Sequence, residues 1–352
     1  MPDSDSIQHR RWRLGERLES VSRRAIVPRS RRSQTSDAPP VPALPSHPVA
    51  TETELVGESE LTDAPFITVL IPALNEGQHI EACLASIEHQ SYPRDRFEIV
   101  VVDNGSSDST ADLVRAAGVQ LMTESRRSAY WARNSGIQAT SGDFLAFTDA
   151  DCLADRDWLS QLTAKAIESD AWVVGGMIRY EMVTDTLGNR LLIETHSADH
   201  IRQHIELHHS VAGGNMFVRR DAFESLGLFN VIAWGSDIDF SQRVAAAGEK
   251  VAFAEQAVVR HQCDLSNWEY WRRSYETRYG QVLLFDERSG IRAAIRNLAR
   301  LPWRPGLRSG RNRYRSTTVA PAPMLSDWLY RWGNRWMEFV GEQTALLTKK
   351  PS

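Results

Sequence analysis

The run Phe66-Ile67-Thr68-Val69-Leu70-Ile71 passes directly into Pro72-Ala73-Leu74-Asn75-Glu76. An apolar, β-branched run without alternation suits a strand covered on both faces, as in parallel sheets. Immediately after it Ile80, Cys83, Leu84 and Ile87 recur at helical spacing, which predicts a helix packed back on that strand. The unit then repeats. Phe97 to Val102 reads as a second strand, Ser109 to Ala117 as a helix opened by a Ser/Asp cap, Val119 to Met122 as a short third strand, Ala129 to Ala139 as a helix, and Phe144 to Phe147 as a fourth strand. Strand and helix in alternation imply an α/β domain whose mostly parallel sheet carries helices on both faces, and ligands in such sheets sit beyond the carboxyl ends of the strands.

Past Asp151 the alternation loosens. Trp172 to Ile178 reads as a strand, Arg190 to His208 as one polar helix, Asn215 to Val218 as a short strand, Ser236 to Ala246 as a helix ended by Gly248, and Lys250 to Val259 as a strand delivering His261 at its end. The expected domains are a disordered basic and Pro-rich tail over 1–62, an α/β domain over 63–288, and a basic, Trp-rich helical extension over 289–352. The tail opens with Arg10, Arg11, Arg13, Arg17, Arg23 and Arg24; the extension holds arginines from Arg292 to Arg315 and an amphipathic stripe, Leu325, Trp328, Leu329, Trp332, Trp336, Phe339 and Val340. That stripe suits a helix docked on its own domain or one lying at a membrane surface.

Composition narrows the function classes. A net charge of −4 is wrong for a general nucleic-acid binder, which draws its affinity from excess Lys and Arg, so no nucleic-acid partner is expected. Cys83, Cys152 and Cys263 are odd in number and widely spaced, which indicates neither a disulfide framework nor a zinc cluster. No uncharged apolar run reaches the roughly 20 residues of a spanning helix, and arginines stand where a signal peptide places its apolar segment. The expected location is cytoplasmic, with a peripheral position on the cytoplasmic membrane face as the option added by the Trp-rich stripe.

Polar loops follow three of the strands: Pro72 to Glu76, Asp103-Asn104-Gly105-Ser106-Ser107-Asp108, and Asp149-Ala150-Asp151. Each alone is ordinary turn chemistry. Together they converge on one sheet edge, and carboxylates without clustered His or Cys favour a hard ion, Mg²⁺ or Mn²⁺, whose coordination is completed by a substrate's phosphates. A diphosphate ligand is the matching partner.

These motifs, with Ala132-Arg133-Asn134-Ser135-Gly136, Gly213-Gly214-Asn215 followed by Arg219-Arg220, and Gly235-Ser236-Asp237-Ile238-Asp239, resemble the family 2 glycosyltransferases of the GT-A, nucleotide-diphospho-sugar transferase fold. The resemblance runs from about Thr68 to His261. It implies a Rossmann-like sheet and a metal-dependent, inverting transfer of a sugar from a nucleotide diphosphate to an acceptor hydroxyl on a glycan or lipid-linked glycan. By the same resemblance Pro72, Glu76, Asp103 and Asn104 surround the donor nucleoside, with Asn104 standing where many members have Asp; Arg133 and Asn134 lie near phosphates and ribose. Asp149 leans toward ribose and Asp151 toward the Mn²⁺ or Mg²⁺, and His261 completes the metal site. Gly213 and Gly214 admit close backbone approach to donor sugar or acceptor, with Asn215 bonding hydroxyls. Asp237 matches the catalytic aspartate, although Ser236 replaces the preceding Glu, and Asp239 is the alternative, as base, helix cap or acceptor contact.

Three other classes were weighed. A nicotinamide oxidoreductase lacks its Gly-x-Gly-x-x-Gly, because Asn75-Glu76 follow the first strand. A nucleotidyltransferase lacks a Gly-rich basic loop at the same place. A non-catalytic sugar-nucleotide or glycan-binding relative is left open by Ser236.

Overall fold

Eight strands form one sheet: β1 (Ile67–Ala73), β2 (Phe97–Asp103), β3 (Gln120–Thr123), β4 (Phe144–Thr148), β5 (Cys152–Ala154), β6 (Val173–Met182), β7 (Asn215–Arg219) and β8 (Val251–Cys263), in the spatial order β3-β2-β1-β4-β7-β6-β8-β5. The computed structural model describes residues 64–232, 234–285, 293, 294, 297, 298 and 324–348; the 1–62 tail, the arginines from Arg292 to Arg315, and the side chains of Leu325 and Trp328 lie outside the described residues. The sheet is parallel across β3, β2, β1 and β4 and between β6 and β8, whereas β7 runs antiparallel to both β4 and β6, and β5 antiparallel to β8. It is therefore mixed, its first half built by strand–helix repeats and its second by insertion of β7.

The helices are α1 (Ile80–Glu88), α2 (Thr110–Ala116), α3 (Ala129–Ala139), α4 (Trp158–Ser169), α5 (Leu187–Thr195), α6 (Ala198–His208), α7 (Arg220–Leu226), α8 (Ser236–Ala246), α9 (Asn267–Phe285) and α10 (Met324–Thr348). They cover both faces. Ile67, Val69 and Ile71 of β1 join Ile99 and Val101 of β2 in a core with Ile80 and Ile87 of α1 and with Trp158 and Leu162 of α4. The intervening Leu70, Val100 and Val102 join the opposite core, with Ala132 and Ile137 of α3 and with Phe223, Phe229, Phe240 and Val244 around α7 and α8. The period of two thus sorts an unbroken apolar run onto two buried faces.

Several local expectations are corrected. The polar stretch Arg190 to His208 is two helices, because Ser197 accepts from the His200 amide (3.3 Å) and starts α6 anew after α5 ends at Thr195. The Ser/Asp opening of α2 is present in a specific form: Ser109 is the N-cap residue without a side-chain capping bond, and Asp108 Oδ1 accepts from the Thr110 amide at 3.0 Å. β8 continues to Cys263, so His261 lies within the strand, opposite Cys152 of β5. α10 returns along α9, where a Cβ on Gly341 would stand 2.5 Å from the Tyr275 carbonyl oxygen; only glycine admits that approach. Tyr330 Oη donates to the Asn267 carbonyl (2.8 Å), and Arg278 pairs with Glu342 (2.9 Å).

The inserted half is tied together by Asn215. Its Nδ2 donates to the carbonyls of Met177 and Ala257, each at 2.9 Å, and its Oδ1 accepts from Trp158 Nε1 at 2.8 Å. The β6–β8 register shifts between Gly176 and Met177, so this amide occupies the irregularity and satisfies carbonyls that the ladder leaves over. Asn215→Ala would orphan three buried groups, and a loss of about 3 kcal/mol or more is expected. Urea unfolding checks this; an unchanged midpoint would rule out the Asn215 network as a structural tie.

Candidate active site

The Asp149-Ala150-Asp151 turn fills the gap between β4 and β5, and because β5 pairs with β8 the second carboxylate is brought to the imidazole of His261. Asp151 Oδ2 lies 3.5 Å from His261 Nε2. Ligand atoms of Asp149, Asp151, Cys152 and His261 all lie within 4.8 Å of one another, the group among the described residues able to surround one ion. Burial, followed by the adjacent carboxylates, holds the Cys152 thiol well above its usual range, and beside it the group offers two carboxylates and one imidazole. That set fits Mn²⁺ or Mg²⁺ with positions left for substrate oxygens. Burial also lifts the Asp151 carboxyl above the ordinary aspartate range; His261 opposes the rise and Asp149 adds to it.

Beside this set stands a buried arginine. Arg133 of α3 is only 5% exposed, and its Nη2 donates to Asp149 Oδ1 at 2.6 Å, while its Nε has no partner. Gly213 and Gly214 pass close to these charges: a Cβ on Gly213 would stand 3.1 Å from both the Arg133 guanidinium and Asp237 Oδ2, and one on Gly214 would stand 2.9 Å from Asp149 Oδ2. Asp237, in the first turn of α8, accepts at Oδ2 from the Gly213 amide and at Oδ1 from Tyr130 Oη and the Ile238 amide, both 3.0 Å. Phe229 and Phe240, packed edge to face with centroids 5.2 Å apart, fix the loop and helix that carry it. The Ser236 hydroxyl at the replaced motif position is fully buried and has no partner.

The loops after β1 and β2 lock to each other. Asn75 adopts a left-handed conformation (φ 59°), and its Oδ1 accepts from the Ser107 amide (2.8 Å) as its own amide donates to Ser106 Oγ (2.9 Å). Pro72 pairs in register with Val102, and Asp103, 6% exposed, accepts from the Ser106 amide at 3.1 Å. Glu76 meets His79 Nδ1 at 3.0 Å. Burial raises its carboxyl above the ordinary range, the His79 contact opposes this, and Asp151 and Asp149 raise it further.

Four of the side chains expected at the ligand are engaged in hydrogen bonds within the protein. Asn104 donates through Nδ2 to the carbonyls of Glu124 and Arg126 (both 2.8 Å) and accepts from the Ser128 amide (2.8 Å), so it shapes the 124–128 loop. Asn134 donates to the Phe229 carbonyl (2.9 Å) and accepts from its amide (3.1 Å). Asn215 bonds to the β6 and β8 backbone and to Trp158 of α4 and is 1% exposed. Asp239 accepts from Asn230 Nδ2 (2.8 Å) and Arg243 Nε (3.0 Å), while Arg243 also binds the Leu226 and Leu228 carbonyls. These side chains brace the walls of the site.

Tyr130 is the functional neighbour that the sequence reading missed. It lies three residues before Arg133, the helical spacing that puts two side chains on one face, and the Arg133 guanidinium sits 5.5 Å from its ring centroid. Burial, then the Asp237 charge, pushes its phenol well above the usual range, so it remains a donor. A cleft of about 420 Å³ beside it is lined by Arg127, Ser128, Ala129, Tyr130, Val231 and Ile232. Tyr180 stacks on His261 with centroids 5.2 Å apart; β6–β8 register makes that contact, and no local motif announces it.

The chain is similar to known proteins. Residues 68–227 match the family described as Glycosyl transferase family 2. Glycosyltransferase AglE of Haloferax volcanii is 30% identical over 212 residues, 56% of this chain and 67% of that protein. The Methanococcus voltae dolichyl N-acetyl-alpha-D-glucosaminyl phosphate 3-beta-D-2,3-diacetamido-2,3-dideoxy-beta-D-glucuronosyltransferase is 31% identical over 101 residues, 27% of this chain and 32% of its own length. Among solved structures, the mannosyltransferase PcManGT from Pyrobaculum calidifontis, in complex with GDP-Man and Mn²⁺, aligns with a TM-score of 0.51 at 19% identity over 81% of this chain and 75% of its own, a likeness of fold. The mixed α/β sheet, the ordered motifs and these relatives together establish that the chain belongs to glycosyl transferase family 2 and is a glycosyltransferase of the GT-A fold.

Proposed function

We propose that the chain transfers a sugar from a nucleotide diphosphate donor to an acceptor hydroxyl by a single inverting displacement, with Asp237 as general base. The observation that carries this reading is the Asp237 carboxylate, held by Tyr130, the Gly213 amide and the Ile238 amide beside the buried Arg133 and its partner Asp149. A carboxylate oriented by three donors keeps one geometry and retains lone-pair capacity for an acceptor proton. In the step Asp237 takes that proton, the acceptor oxygen bonds to the anomeric carbon from one face, and the anomeric bond to the diphosphate breaks on the other, its electron pair leaving with the nucleoside diphosphate. The unpartnered Nε of Arg133 suits a donor phosphate or ribose oxygen.

Asp151 and His261, with Asp149, would hold Mn²⁺ or Mg²⁺. A bound divalent ion supplies charge neutralisation for the departing diphosphate. Pro72, Glu76 and Asp103 line the nucleoside side, with Asn104 and Asn134 acting through the loops they pin, and Gly213 and Gly214 form the floor beneath the donor sugar. The acceptor in this reading is a glycan on a lipid carrier. The M. voltae relative's name specifies a dolichyl phosphate-linked sugar, and Leu329, Val340 and Leu347 are exposed along one face of α10, which suits a peripheral position at a membrane surface. Among the described residues no helix is long and apolar enough to cross a membrane.

Thermal melts of the purified chain with UDP, dTDP and GDP, each with and without Mn²⁺, test the donor class. One nucleotide should stabilise in a metal-dependent way, and Asp149→Ala/Asp151→Ala should abolish the shift. Asp237→Asn should keep the shift and lower turnover about 10²–10⁴-fold; turnover near the wild-type level would remove Asp237 from the role of base. No shift from any nucleotide in folded protein would sink the donor assignment.

Asp151 gives a second test. Its folded pKa is raised, so its ionised form costs stability above that raised value, and the cost disappears as pH falls through it. In EDTA at neutral pH Asp151→Asn should therefore melt higher than the wild type. The advantage should shrink on acidification, whereas a lower melting point at neutral pH would contradict a site strained by its own charge.

A further inference from the structure

Outside the site described above, four histidines form a row: His196, His200, His204 and His208 recur at every fourth position across the end of α5 and along α6. Successive ring centroids are 6.0, 4.2 and 5.6 Å apart. A helix presents positions i and i+4 on one face, and His-x₃-His is the spacing at which two imidazoles converge on one ion. His200 and His204 are exposed, while His208 is half-buried and its carbonyl accepts from Gln242 Nε2 at 3.2 Å.

We propose that His200 and His204 form a transition-metal site on the exposed face of α6, taking Zn²⁺, Cu²⁺ or Ni²⁺ with water in the remaining positions, separate from the oxygen-rich set at Asp149, Asp151 and His261. Zn–N bonds of about 2.0–2.1 Å put an ion about 3.2 Å from each ring centroid, so two tetrahedral ligands have centroids about 5 Å apart. The observed 4.2 Å opens to that value by a small rotation of exposed rings. Both imidazoles are neutral at pH 7, since desolvation and then their neighbours hold His200 below its usual range and push His204 down to about 4; their lone pairs are free for a metal rather than a proton. Imidazole donors select borderline ions over Mg²⁺, which separates this site chemically from the carboxylate set. Occupation would clamp one turn of α6.

The experiment uses the full chain without an affinity tag. Equilibrium dialysis against Zn²⁺ compares the wild type with His200→Gln/His204→Gln and with His208→Gln, all checked for an unchanged far-ultraviolet spectrum. The double variant should bind about one equivalent less than the wild type, and His208→Gln should match the wild type. In Cu²⁺ electron paramagnetic resonance, the component lost in the double variant should carry coupling to two imidazole nitrogens, and His204→Gln alone should abolish it. Equal stoichiometry in the wild type and the double variant, loss in His208→Gln, or a lost component without a second nitrogen would each overturn the assignment. None of these substitutions touches the proposed donor or base residues, so the result stands apart from the transferase assay.

Discussion

The contact on which the site depends is the ion pair between Arg133 and Asp149, 2.6 Å long, with the arginine almost wholly buried. A guanidinium removed from water carries a penalty of several kcal/mol, so α3 could not occupy its place against β1 and β2 without an anion at its inner end. Asp149 provides that anion because β4 stops at Thr148, and the turn following the strand brings the carboxylate to the arginine. Gly213 and Gly214 then run between this pair and Asp237, where an added Cβ would crowd Arg133, Asp149 and Asp237 at 2.9–3.1 Å. One charge pair thereby joins the parallel half of the sheet to the inserted half at the place where the chemistry is proposed.

The inserted half is held in a comparable way by amides. Asn215 ties β6, β8 and Trp158 together, Asn134 pins Phe229, and Asn104 shapes the loop leading to Tyr130. Each bonds to the backbone or to a buried side chain. Such networks hold loops in one conformation, which matters because Asp237 and Tyr130 both stand at helix beginnings reached through those loops. Preorganisation of this kind is what an oriented base requires.

The alternating half of the fold was legible because apolar runs and helical spacing are local properties: α3 and α8 have the boundaries their periodicity predicts. The motif loops were legible as a group, since in an α/β sheet they must meet at one edge. Individual roles were less so. An asparagine facing a backbone carbonyl reads the same in sequence as one facing a sugar, so the internal bonds of Asn104, Asn134 and Asn215 could not be read ahead of the structure. The break at Ser197 was hidden because the polar pattern continues through it. The meeting of Tyr180 with His261 depends on long-range strand register, which no window of sequence contains.

Glu76, Asp149 and Asp151 form a concentration of negative charge whose own electrostatics oppose it, with burial raising two of the three carboxyls before their mutual repulsion is added. Had the chain evolved this edge for stability alone, amides would serve it better, as they do at Asn104 and Asn215 a short distance away. The opposing contacts are directional: Arg133 faces Asp149, and the imidazoles of His79 and His261 stand against Glu76 and Asp151. His79 and His261 leave their carboxylates partly uncompensated. A cavity that holds unspent negative charge beside a single buried guanidinium, itself with a free N–H, accommodates a cation and an anionic oxygen together, and a metal-bound diphosphate is a ligand with both.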